Sequence, residues 1–203
     1  METQEKTSEK IMKILAKEPL SEHTATSLAK ALGISRQGIW KTLIKLSRNN
    51  LISLHSVANT KKSALNITLN FKNSITIRTL SLLIEKETLK YERWRDNFNK
   101  LEKHILFVIL FGSILHSHKE ANDIDLLVVV RTKKNFKAVE NVITEVQQTQ
   151  IKKIHAIDLT KEELKKELNN KNRAYLDAIK KGAILFGQEN FIKFIEDISK
   201  PQK

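Results

Sequence analysis

The chain has 203 residues, 40% of them hydrophobic and 29% charged, and carries a formal net charge of +13. That balance is globular rather than disordered, and the length allows one large domain or two small ones. Cysteine is absent, which excludes a disulfide framework, a thiol nucleophile and a thiolate zinc site.

The start, "METQEKTSEK", is polar and has no apolar leader core. The longest apolar stretch lies around Ile105–Phe111 and is far too short to span a bilayer. The expectation is a cytoplasmic protein with no membrane partner. The charge is unevenly spread. From His23 to Ile84 there is no Asp or Glu, while Lys30, Arg36, Lys41, Lys45, Arg48, Lys61, Lys62, Lys72 and Arg78 all fall in that window. A segment cleared of acids suits a polyanion, because each stray carboxylate would repel phosphate.

Ile11, Ile14 and Leu15 have helical spacing within Ser8–Lys17, and Pro19 stops that helix. A second helix is predicted over residues 21–32, with Leu28, Ala29 and Leu32 on one face. Gly33 suits a left-handed C-cap and Ser35 an N-cap. A third helix follows over residues 36–49, with Ile39, Leu43 and Leu46 inward. "LISLHS" and "SALNITLN" alternate like strands, around a polar turn "VANTKK". Trp40 and Phe71 read as core residues.

This order, with "TATSLAKALGISRQGIWKTLIKLSRNNLI" at its centre, resembles the winged helix-turn-helix domains of prokaryotic repressors, over about residues 8–70. Gln37, Lys41 and Lys45 are four apart and share one helix face, with Arg36 and Arg48 near its ends. Such a helix fits a major groove of double-stranded DNA. Lys61 and Lys62 at the hairpin tip are placed to touch the backbone or minor groove. A solvated face on a protein-interaction module is the alternative.

Residues 73–103 read as a connector of one or two helices, with Leu80, Leu83, Ile84, Leu89, Tyr91, Trp94, Phe98 and Leu101 at near-helical spacing. Domain limits of 1–72 and 104–203 follow. The second half alternates: a buried strand "HILFVILF", a β-branched strand "DIDLLVVV", an amphipathic helix "NFKAVENVITEVQQT", a weaker strand "IKKIHAIDL", the helices "KEELKKELNN" and "RAYLDAIKKG", the latter closed by Gly182, a short run "AILFG" and a last helix. This is a small α/β domain on a mixed sheet. The fold class expected is therefore a two-domain α+β and α/β chain.

Asp123 and Asp125 are two apart on a strand and project to one side. Two such carboxylates repel unless a cation lies between them, and Mg²⁺ takes one or two carboxylates together with phosphate oxygens. Gly112 lets the backbone approach a ligand, Ser113 adds a hydroxyl, and a helix starting there would offer N–H groups to phosphate. "FGS", nine residues (Ile114–Asn122) and then "DIDLLVVV" resemble the minimal nucleotidyltransferases of the polymerase-β superfamily, over about residues 90–187.

The resemblance implies Asp123 and Asp125 as metal and catalytic residues, with one or two Mg²⁺ ions. It implies Gly112 and Ser113 as the turn that holds the phosphates of a nucleoside triphosphate. The implied reaction transfers a nucleoside monophosphate to a hydroxyl acceptor, a protein acceptor included. The family's usual arginine after the turn is replaced by Leu115, His116 and Ser117. Its third acid, on the next strand, finds only Asp158, which could equally cap the following helix; His155 is the other occupant on that strand. His116 and His118 read as solvated or near phosphate. The second reading is a DNA-binding regulator whose nucleotidyltransferase-like domain senses nucleotide or only forms a homodimer.

Overall fold

The computed structural model describes residues 5–56 and 65–200. The chain divides into two compact units, one ending at Leu83 and the other running Ile84–Ile198.

The first unit holds α1 (Thr7–Lys17), α2 (Ala25–Leu32), α3 (Arg36–Arg48), β1 (Ile52–Ser56), β2 (Leu65–Leu69) and the start of α4 (Ser74–Thr88). Helix, helix, tight turn, helix and two-stranded sheet is the winged helix-turn-helix order. Its core is Ile11, Leu15, Leu28, Ile39, Leu43, Leu46, Ile52 and Ile67. Gly33 ends α2 at φ 64°, ψ 29°, and the Ser35 hydroxyl accepts the Gly38 N–H at 3.1 Å to start α3. Both caps do what their residue types suit. β1 and β2 pair antiparallel, from Ile52 opposite Leu69 to Ser56 opposite Leu65. The turn "VANTKK", with Lys61 and Lys62, lies outside the described residues.

Two expectations need correction here. Helix α2 starts at Ala25, not Ser21. Thr24 caps it, accepting the Ser27 N–H at 3.1 Å, while the His23 carbonyl accepts the Ile67 N–H at 2.8 Å and holds that residue beside β2. Trp40 is 39% exposed rather than core, because it falls on α3 next to Lys41, one step off the stripe of Ile39, Leu43 and Leu46. The division between the two units falls inside α4, within the residues expected as a connector.

In the second unit, α4 gives way to a 3₁₀ turn at Leu89–Tyr91 before α5 (Glu92–Phe98) and a further 3₁₀ stretch, Asn99–His104. The change of pitch shifts the side-chain phase, so Leu89 is 59% exposed although helical spacing had placed it inward. Thr88 is fully buried, and its hydroxyl lies 2.8 Å from the carbonyls of both Ile84 and Ile184. One proton shared between two acceptors anchors the end of α4.

Four strands follow: β3 (Ile105–Phe111), β4 (Asp123–Val130), β5 (Lys153–Thr160) and β6 (Ala183–Phe186). Their order is β5-β4-β3-β6. β3 is antiparallel to both β4 and β6, and β4 is parallel to β5. The parallel pair needs a crossover, and α6 (Phe136–Gln147) supplies it. One sheet face packs Val108, Leu110, Ile124, Leu126, Val128 and Ile154 against Trp94, Phe98, Val139 and Val142 of α5 and α6. On the other face, Phe107 meets Phe191 edge-on and Phe194 at a tilt. Phe191 and Phe194 belong to α9 (Gln188–Ser199), which follows α7 (Lys161–Asn169) and α8 (Arg173–Lys181) in the chain. No helix among the described residues is long and apolar enough to cross a membrane.

Candidate metal centre

Asp123 and Asp125 open β4 on the face opposite Ile124 and Leu126, which are fully buried. Pleat alternation alone separates them. Asp123 pairs in register with Lys153 of β5, and Asp125 with His155. Paired residues of adjacent strands face the same way, so His155 joins the two acids. Its Nδ1 lies 3.4 Å from Asp123 Oδ2 and 3.6 Å from Asp125 Oδ1. One donor atom from each of the three side chains falls within 4.8 Å of the others.

The three side chains are part-exposed: 34% for Asp123, 24% for Asp125 and 45% for His155. That exposure leaves each of them reachable by solvent or a ligand that can complete a coordination shell. Burial, then the charge of Asp123, raises the Asp125 carboxyl above its ordinary value, with His155 acting in the opposite direction. Two convergent carboxylates beside an imidazole are a donor set that fits a divalent cation.

Gly112 closes the other side. β3 ends with Phe111 opposite Asp125, and Gly112 turns the chain at φ 82°, ψ −162°. A Cβ on Gly112 would lie 2.3 Å from Asp125 Oδ2, so only glycine both adopts this backbone and leaves room for the carboxylate. After it, Ser113–Leu115 form a single 3₁₀ turn rather than the helix start expected from the sequence. The turn folds on itself, the Ser113 carbonyl accepting the N–H groups of His116 and Ser117 at 3.0 and 3.2 Å. The loop's second histidine is exposed: His118 pairs with Arg93, and its ring lies 5.4 Å from that of Trp94.

Asp158 does not reach this centre, which corrects its expected place as the third acid. It pairs with Val128, three positions beyond the Asp125–His155 pair, so it projects to the opposite face. There it lines a groove with Phe136, Lys137, Glu140, Ile143 and Ala156. Burial, followed by the charge of Glu140, raises its carboxyl, its own backbone opposing them. Nor does Asp158 cap α7: the Thr160 hydroxyl accepts the Glu163 N–H at 3.3 Å, and Glu163 reaches back to the Thr160 N–H at 2.8 Å.

In the first unit, Arg36, Gln37, Lys41, Lys45 and Arg48 are all exposed on α3. They form a basic surface with Trp40 at its side.

Among solved structures, the Lactococcus lactis ZitR C30AH42A mutant is 24% identical, with 50% of this chain and 68% of that one covered at a TM-score of 0.35. Wild-type ZitR in complex with DNA is 26% identical, with 48% and 66% covered at 0.34. The adhesin competence repressor AdcR of Streptococcus pyogenes is 19% identical, with 71% and 81% covered at 0.35. No curated protein matches the chain. Residues 96–190, which carry Gly112, the Asp123–Asp125 pair and His155, match the family described as "Polymerase beta, Nucleotidyltransferase".

Proposed function

We propose that the second unit is a metal-dependent nucleotidyltransferase. The observation that carries this reading is the meeting of Asp123, Asp125 and His155 beside the Gly112–Ser113 turn, inside the segment that matches the family. The substrate is a nucleoside triphosphate complexed with a divalent cation, Mg²⁺ being the ion that the sequence resemblance implies. Bound cations supply charge neutralisation at the reacting phosphate and its leaving group.

The chain's own groups do the rest. Asp123 and Asp125 fix the position of the cation-bearing phosphates. Gly112, lacking a side chain, lets a phosphate lie against the backbone, and the Ser113 hydroxyl donates to it. The acceptor's hydroxyl oxygen bonds to the α-phosphorus, the α–β bridging P–O bond breaks, pyrophosphate leaves and the hydroxyl proton passes to solvent. The part-exposed acids are reachable by an acceptor from solvent, a protein hydroxyl included.

The test is transfer of α-³²P label from each NTP to candidate protein, RNA and small hydroxyl acceptors. Incorporation by the wild type and its loss in Asp123→Asn and Asp125→Asn supports the reading. Absence of transfer with every acceptor, alongside nucleotide binding that Asp123→Asn abolishes, favours the second reading: a sensor that binds nucleotide without chemistry. That second reading is supported by the imidazole that stands where the resemblance calls for a third acid.

The first unit, on this proposal, binds double-stranded DNA through α3. Support comes from the acid-free window His23–Ile84 and the exposed row of Gln37, Lys41 and Lys45.

A further inference from the structure

The donor set at the head of β4 and β5 is not all oxygen. Magnesium is a hard cation that prefers oxygen donors and retains its water, whereas imidazole suits first-row transition ions such as iron, nickel, copper and zinc. Here the nitrogen is not a bystander. His155 Nδ1 sits nearly equidistant from one oxygen of each aspartate, at 3.4 and 3.6 Å. Strand pairing sets that position: the Asp125–His155 register pair fixes which face the ring occupies. No other carboxylate among the described residues joins the cluster, and Asp158 is held on the far face. A hard ion placed here would exchange an oxygen for a nitrogen ligand and lose affinity. A borderline transition ion would gain from it.

We infer that Asp123, Asp125 and His155 form a resident site selective for a divalent first-row transition ion over Mg²⁺, with His155 Nδ1 as a direct ligand. This deepens the nucleotidyltransferase reading and rests on its metal site. Mg²⁺ then enters with the triphosphate, while the protein-held position takes the softer ion. His155 sets the metal choice through nitrogen coordination.

The experiment uses the full chain stripped with chelator and without nucleotide. Mn²⁺, the weakest-binding ion of that series, is the EPR-visible probe: its binding is followed by loss of the free-ion signal, with Mg²⁺ as competitor, for the wild type, His155→Ala and His155→Asp. The wild type is expected to bind one Mn²⁺ per chain at least tenfold more tightly than Mg²⁺. Pulsed EPR of the bound ion should show ¹⁴N coupling from a directly ligated imidazole. His155→Ala should lose that coupling and at least tenfold in Mn²⁺ affinity, and His155→Asp should bring the two ions' affinities within a few-fold. Circular dichroism confirms that both variants fold. Equal wild-type affinities for Mn²⁺ and Mg²⁺, or bound Mn²⁺ without ¹⁴N coupling, overturns the inference. Nucleotidyl transfer with either ion would then leave the broader reading standing. Manganese preference with ¹⁴N coupling but no transfer to any acceptor leaves this inference standing and removes the enzymatic one.

Discussion

Gly112 and Asp125 touch without a side chain between them. The space a Cβ on Gly112 would fill lies 2.3 Å from Asp125 Oδ2, and the Gly112 backbone sits at φ 82°. Backbone turn and carboxylate are thus one packed unit.

From this contact, Gly112→Ala should act twice. Left-handed backbone and overlap with the carboxylate together should cost about 1–3 kcal/mol of stability. The displaced Asp125 should also lower metal affinity by at least tenfold. Chemical denaturation and metal titration on the same sample check both; unchanged metal affinity would separate the turn from the centre.

Asp158→Asn tests the two-faced strand. The carboxyl of Asp158 is raised by burial and by Glu140. A raised folded-state value means that protonation favours folding: the contribution is present below the unfolded-state value and lost as pH rises through the folded one. At neutral pH the variant should therefore melt at a higher temperature than the wild type, and the gap should close as pH falls into the usual carboxylate range. Metal affinity should not change. Loss of metal binding in Asp158→Asn would return that residue to the centre.

Lys153 pairs with Asp123 and shares its face. It is the cation that the strand register brings beside the acids, where the loop carries no arginine. Lys153→Ala should raise the concentration of triphosphate needed for half-saturation by about tenfold, as expected for losing one charge-assisted phosphate contact, with metal affinity in the absence of nucleotide held or increased. Calorimetric titration with a non-hydrolysable NTP is the check.

Lys41→Glu with Lys45→Glu reverses two charges on the exposed face of α3. DNA affinity of the wild type should fall steeply with salt, with a log–log slope of about −0.9 for each phosphate neutralised. The double variant should lose affinity and flatten that slope by about two units. Fluorescence anisotropy across a salt series measures both, and a slope near zero in the wild type would remove the DNA role.

Much of this arrangement is legible in one dimension. Caps at Gly33 and Ser35, the period of α3 and α6, and the apolar runs of β3 and β4 are local signals, and each element formed where its signal stood. Asp123 and Asp125 share a face by pleat alone. What the sequence leaves open depends on pairing between distant segments. Asp158 and His155 lie three apart on β5 and so on opposite faces; which face meets the Asp pair is set by the parallel register with β4, not by any local pattern. The late start of α2 has the same origin, in the bond between the His23 carbonyl and the Ile67 N–H. Leu89 escaped the helical count because a 3₁₀ turn changes the period.

The position of β5 at the sheet margin has a consequence for folding. Among the described residues β5 is hydrogen-bonded within the sheet only to β4, and its register with β4 forms only after the α6 crossover has closed. An ion shared by Asp123, Asp125 and His155 would act as a rivet through that edge strand. Chelation should then quicken amide exchange in Lys153–Thr160 while leaving β3 protected, so that the same cation that serves chemistry also keeps the sheet's border from fraying.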